Sequence, residues 1–145
     1  MADPQDIIRE CSEARAVAAN AGDCHKFVEA VAAALRVVLT GTADQVMAQI
    51  AGPGWSQHGT DGAAAAAAAE AGDLVIGGMT SERLGDAHGH VVVVVAGPLA
   101  HGRYPTAYWG SLNPRVRPDG GLGKTINFSF SEVDRDGVVY ASRPV

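Results

Sequence analysis

Two cysteines in 145 residues, Cys11 and Cys24, do not build a disulfide framework. They neither require nor exclude an oxidising destination. Positive charge is also scarce. Eleven Lys and Arg face 16 Asp and Glu, a net charge of −5 with a pI near 5.4. No basic run occurs and no basic-aromatic interleaving, which argues against a nucleic-acid surface. No apolar stretch reaches spanning length, so no membrane span is expected. The opening Met1-Ala2-Asp3-Pro4-Gln5-Asp6 is acidic and lacks an apolar core, so no Sec signal peptide is predicted. There is no internal repeat. The nearest approach to a metal site is Asp86-Ala87-His88-Gly89-His90, but no further Cys or His stands at zinc spacing. The sequence therefore predicts no metal and no cofactor.

What is present is a core. Hydrophobic residues make up 47% of the chain, enough for one compact domain over residues 1–145. Asp3 before Pro4 reads as the start of a helix. Ile7, Ile8, Cys11, Ala14 and Ala18 follow at helical spacing, up to Asn20-Ala21-Gly22. Cys11 on that stripe reads as a buried structural thiol. Asp23 is the N-cap of a second helix, with Phe27, Val28, Val31, Ala34, Leu35 and Val38 on one face, running to about Leu39. Thr42-Ala43-Asp44-Gln45 fits a capping box for a third helix carrying Val46, Met47 and Ile50.

Residues 55–62 read as loop, and the seven alanines from Ala63 to Ala69 as a short helix. Leu74-Val75-Ile76 is a strand. Five consecutive valines after His90 predict a strand covered on both faces, central in its sheet. Thr106 to Trp109 is a third strand, and Asn113 to Gly123 a loop holding Arg115 and Arg117. Residues 125–130 and 138–140 read as a hairpin about Asp136-Gly137. Helices first and an antiparallel sheet after them make the fold class α+β, with N-terminal helices packed on a central antiparallel β-sheet.

The chemistry-bearing residues are Cys24 and His90. Cys24 falls in the first turn of its helix, where unpaired N–H groups and the helix dipole favour a thiolate. Asp23 pushes the other way, so a basic partner is needed. His90, at the start of the valine strand, is the candidate. A thiol and an imidazole held on two rigid elements are the parts of nucleophilic catalysis. Spacing alone leaves open that both are structural residues.

Asp23-Cys24-His25-Lys26-Phe27-Val28 resembles the Asp-Cys-Ser-Gly-Phe-Val nucleophile motif of NlpC-type, papain-like cell-wall peptidases. Gly89-His90-Val91 resembles their Gly-His-Val base motif. The first family of type VI secretion amidase effectors is more similar still, through Phe27-Val28, Val31-Ala32-Ala33, Gly89 to Val94, Gly97-Pro98-Leu99, Tyr104-Pro105 and Gly110-Ser111. The resemblance implies a single NlpC-type, papain-like peptidase domain, with Cys24 as nucleophile and His90 as general base and acid. It implies a bacteriolytic toxin that hydrolyses a peptidoglycan stem-peptide bond, γ-D-glutamyl–meso-diaminopimelate. Such a toxin is made in the cytoplasm, exported by the type VI secretion apparatus, and acts in the periplasm of a rival cell. Its partners are stem peptides and a cognate periplasmic immunity protein, and a monomer is expected.

Departures from the family pattern are visible too. His25-Lys26 replaces Ser-Gly after the nucleophile. The position of the residue that orients the histidine falls near Trp109, whose indole only donates. That leaves a backbone carbonyl, a water or a plain dyad for His90. Cys11 matches half of a terminal disulfide of some relatives, but the C-terminal residues offer no partner.

The resemblance makes Asp23 a candidate to bind a substrate ammonium, with a plain N-cap as its other reading. Trp109 is a candidate groove residue, with a core aromatic as its other reading. Two functional alternatives stay open. One is an amide hydrolase or acyltransferase with another substrate, and the other is a non-catalytic wall-binding or immunity-protein-binding relative. The catalytic reading implies a bell-shaped pH profile, set by a charged sulfur and a proton-donating imidazole.

Overall fold

Side-chain caps set the helix starts in the first half of the chain. The computed structural model describes residues 2–111 and 121–145. Arg115 and Arg117, with most of the loop around them, lie outside the described residues. Helix α1, Pro4–Arg15, is closed by a capping box: Asp3 accepts from the Gln5 N–H at 2.8 Å, and Asp6 accepts from the Asp3 N–H at 3.1 Å. It buries Ile7, Cys11 and Ala14. The predicted single helix up to Gly22 is in fact two. Val17 turns extended, and a separate short α2 spans Ala18–Ala21.

Helix α3, Cys24–Ala34, starts where expected, with Asp23 as N-cap, and buries Cys24, Phe27, Val28, Val31 and Ala32. It stops before the predicted Leu39. Arg36 takes a left-handed φ of 64°, its N–H bonds Ala33 O at 3.0 Å, and the Val37 N–H bonds Ala32 O at 2.8 Å. This is a Schellman closure with arginine where glycine is usual. Val37 and Leu39 thereby turn into the core, while Val38, placed by periodicity on the buried stripe, is 83% exposed. Helix α4, Ala43–Ile50, carries the predicted Thr42–Gln45 capping box.

The sheet has six strands: β1 Ser56–Gly59, β2 Leu74–Met79, β3 His90–Val94, β4 Thr106–Tyr108, β5 Leu122–Thr125 and β6 Val139–Arg143. Their order is β1-β6-β2-β3-β4-β5 and every pairing is antiparallel. The class is α+β, an arrangement compatible with a papain-like core. The valine strand is interior, as its composition predicts. Val91, Val93 and Val95 pack in one cluster with residues of α1, α3 and α4. Val92 and Val94 pack on the other side with Ala65 and Ala69 of α5, Gly62–Glu70, and with Tyr104, Trp109 and Tyr140. A further short helix, α6 at Ser81–Leu84, lies between β2 and β3.

Two expectations are corrected. Residues 56–59 form an edge strand, not a loop. Their sequence is polar and largely exposed, so no apolar alternation announces them; the ladder to β6 makes them a strand. The expected C-terminal hairpin does not form either. A 3-10 turn, Ile126–Phe128, ends β5 and drives Ile126 and Phe130 into the core. Strand β6 then inserts between β1 and β2.

Phe27 of α3 is fully buried in the cluster that joins the helices to the sheet. Phe27→Ala should cost about 3–5 kcal/mol, read as a lower urea midpoint at unchanged slope. A midpoint within error of the parent would mean that α3 does not pack on the sheet as described.

Candidate active site

The start of α3 abuts the start of β3. The Cys24 thiol donates to Gly89 O at a sulfur–oxygen distance of 4.0 Å. The main chain of Val91 also favours its thiolate form. The sulfur is thus set against both chain neighbours of His90. Gly89 has no room for a side chain, because a Cβ there would meet the Asp44 carboxylate and Met79 O. Asp44 is itself tied down, accepting from the Ser81 N–H at 2.7 Å and from the Ser81 hydroxyl. These bonds hold its carboxyl below the usual range and couple α4 to the 80–89 segment.

His90 belongs to the sheet face opposite α3, as strand alternation requires. Its ring packs against Phe130, centroids 5.0 Å apart at 58°. Its Nε2 lies 2.6 Å from Ser129 Oγ. The two faces meet at the end of the sheet, where a cleft of about 390 Å³ opens. Cys24, Gly89, His90, Trp109, Ser111, Ser129 and Phe130 line it, with Leu84, Asp86, His88, Ser131 and Asp134 around them. Cys24 and His90 therefore face one cavity.

The electrostatics depart from the expectation at the sulfur. Burial pushes the Cys24 thiol up, and this outweighs the main-chain groups of Val91, His25 and Cys24, which favour the thiolate; Asp23 adds to the rise. Burial also pushes the His90 imidazole down, to about 4. Burial thus favours the neutral form of both the thiol and the imidazole, against the ion pair that helix position alone implies.

No family model matches the chain. The chain is 35% identical over 121 residues to the peptidoglycan amidase Tse1 of Pseudomonas aeruginosa, which covers 83% of this chain and 75% of that protein. This chain belongs to the first family of type VI secretion amidase effectors.

In this effector, Asp23 and Trp109 sit differently. Asp23 Oδ1 accepts from the Lys26 N–H at 3.5 Å and lies 3.1 Å from His25 Nε2. Its carboxylate caps the helix and pairs with His25, and Asp23 is not among the residues lining the cleft. His25 Nδ1 is 3.8 Å from Glu29 on the next turn, so the residue replacing the family's serine sits between two carboxylates. Trp109 is 1% exposed and packed in the core, and it is among the residues that line the cleft. It is held there by Gly110, where a Cβ would collide with Asn20 O and Asp23 O, and by the Ser111 N–H bonded to Ala21 O at 2.9 Å.

Sequence reasoning missed Ser129 and Phe130, the residues that meet the imidazole edge and face. Both fall in a segment that reads as strand, and a serine 39 positions from its histidine gives no spacing signal. Among the described residues, no three His, Cys, Asp or Glu side chains gather as a metal-binding group. No described helix is long and apolar enough to cross a membrane.

Proposed function

We propose that this effector is a bacteriolytic peptidoglycan amidase, a cysteine endopeptidase in which Cys24 is the nucleophile and His90 the general base and acid. The observation that supports this most is that Cys24, first residue of α3, and His90, first residue of β3, line one open cleft. The name of the Pseudomonas relative supplies the substrate class, peptidoglycan. The bond is the stem-peptide amide between D-glutamate and meso-diaminopimelate. The site of action is the periplasm of a rival cell, reached by type VI secretion, and a cognate immunity protein occupies the cleft in the producer.

The neutral forms that burial favours set the order of events. The thiol turns from Gly89 O toward the imidazole, which takes its proton as sulfur attacks the amide carbon. The carbonyl oxygen gains negative charge beside the Cys24 N–H. That group is one of the unpaired donors at the start of α3, so the helix end stabilises the oxyanion. The imidazolium then protonates the departing diaminopimelate amine and leaves a thioester on the glutamyl carbon. Water, deprotonated by the same imidazole, releases the acid and restores the thiol. Trp109 forms one apolar wall for the peptide.

Digestion of purified Gram-negative sacculi followed by mass spectrometry tests this reading. The expected product pair is a D-glutamate terminus and a free diaminopimelate amine, and an unchanged muropeptide profile from folded protein would overturn it. The pH profile carries a second expectation. The base is competent only once His90 has lost its proton, so kcat/KM should rise through about pH 4. It should fall again only above about 8.5, the ordinary thiol range, because Cys24 is raised. A profile measured from pH 3 to 11 with its acid limb near 6.5 would contradict the buried-base arrangement.

A further inference from the structure

By the resemblance, the position of the residue that orients the base falls near Trp109, whose indole has no acceptor for an imidazole N–H. The role must pass to another group or lapse. We propose that Ser129 takes it: its hydroxyl oxygen accepts the proton on His90 Nε2, which leaves Nδ1 as the nitrogen that serves Cys24. The inference rests on the cysteine–histidine reading above and assigns a positioning residue within it.

Three observations carry it. Ser129 Oγ lies 2.6 Å from Nε2, within hydrogen-bond reach, with the direction of the bond set by the tautomer. The serine also sits on a fixed piece of backbone. It closes the 3-10 turn Ile126–Phe128, its own N–H and that of Phe130 both bond Ile126 O at 2.9 Å, and Ile126 is fully buried. Finally, the next residue along, Phe130, packs on the imidazole ring. One short segment thus sets both the rotation of the ring, through Nε2, and its plane, through Phe130.

Tautomer chemistry decides what the bond does. A neutral imidazole carries one N–H. If Ser129 donated to Nε2, the proton would sit on Nδ1 and block transfer from Cys24. If Ser129 accepts, the proton sits on Nε2 and the Nδ1 lone pair is free. Only the second arrangement is compatible with a base. A hydroxyl also differs from a carboxylate, because it orients the ring without adding negative charge. Nothing at Nε2 then offsets the burial that pushes the imidazole down.

The test compares wild type with Ser129→Ala, Ser129→Thr and Ser129→Asp. Side-chain nitrogen NMR of the free protein reads the His90 tautomer and its titration, and hydrolysis of purified muropeptides is followed from pH 3 to 11. Wild type should show the Nε2–H tautomer. Ser129→Ala should lose roughly 10- to 100-fold in kcat with KM within about twofold, a smaller loss than removal of the base itself. Ser129→Thr, which keeps the hydroxyl, should restore most of the rate. Ser129→Asp should raise the His90 midpoint and move the acid limb up with it, by about one unit or more. That shift reports only that position 129 faces the ring; the wild-type tautomer and the loss in Ser129→Ala with rescue by Ser129→Thr report the role. An Nδ1–H tautomer in wild type, or Ser129→Ala at full rate with an unmoved His90 titration, overturns the proposal. The wild-type tautomer decides even if Ser129→Ala does not fold. Full activity in Cys24→Ala would instead remove the cysteine reading, while the NMR result still judges Ser129 on its own.

Discussion

Cys24→Ala should leave purified sacculi uncut, with a loss of at least about 10⁴-fold in kcat/KM. The scale follows from removing an attacking atom: no other group takes its place, and only binding and oxyanion stabilisation remain. The protein should stay folded. Cys24 is a small side chain at the rim of the core, 6% exposed, and alanine is a good helix residue for the first turn of α3. The Asp23 cap and the Val28 and Val31 contacts are untouched, so the unfolding midpoint should move little. The comparison therefore separates chemistry from folding. Stem peptides cut by folded Cys24→Ala at the parent rate would exclude a cysteine mechanism. Cys11 supplies no backup nucleophile, since it is wholly buried in α1 and burial holds its thiol far above its ordinary value.

His90→Gln should lose about 10²- to 10⁴-fold in kcat, the usual worth of a positioned general base. Glutamine keeps a polar group near Ser129 but cannot carry the proton. What activity remains should depend on thiolate formed without help. Its rate should climb with pH toward the raised Cys24 value, across the range in which the parent rate is level before its alkaline fall. Stability gives an independent reading with a definite sign. In the folded protein His90 holds its proton only below about 4, whereas the unfolded chain binds it below about 6.5. The unfolded state therefore binds more protons between those values. Stability is intact above about 6.5 and falls as pH drops toward about 4. Substituting Gln removes the group, so this acid loss should shrink in the variant. A variant whose rate drops less than about tenfold, or whose acid stability curve overlays the parent's, would show that His90 is neither the base nor a buried neutral imidazole.

Much of the frame was legible because its signals are local. Asp3, Asp23 and Thr42 cap helices as their side chains dictate, since each bond spans two or three residues. The valine run declares an interior strand by composition alone. The boundaries that failed depend on distant partners or on local exceptions. Arg36 adopts a conformation that glycine would have advertised, so α3 was read too long. Strand β1 is polar and exists because β6 offers it a ladder, and β6 lies centrally because β2 has a free edge there.

The candidate site divides along the same line. Cys24 and His90 could be named from the sequence, because a helix start and a strand start leave marks in the residues around them and because their motifs match the effector family. Their charge states could not. A helix terminus argues for thiolate, yet how much water reaches the sulfur and the ring depends on everything packed above them, and that packing pushes both toward the neutral form. Ser129 belongs wholly to the tertiary structure. A 3-10 turn that carries Ile126 into the core swings its hydroxyl onto Nε2, and a contact made by chain segments 39 residues apart exists only once the sheet has closed.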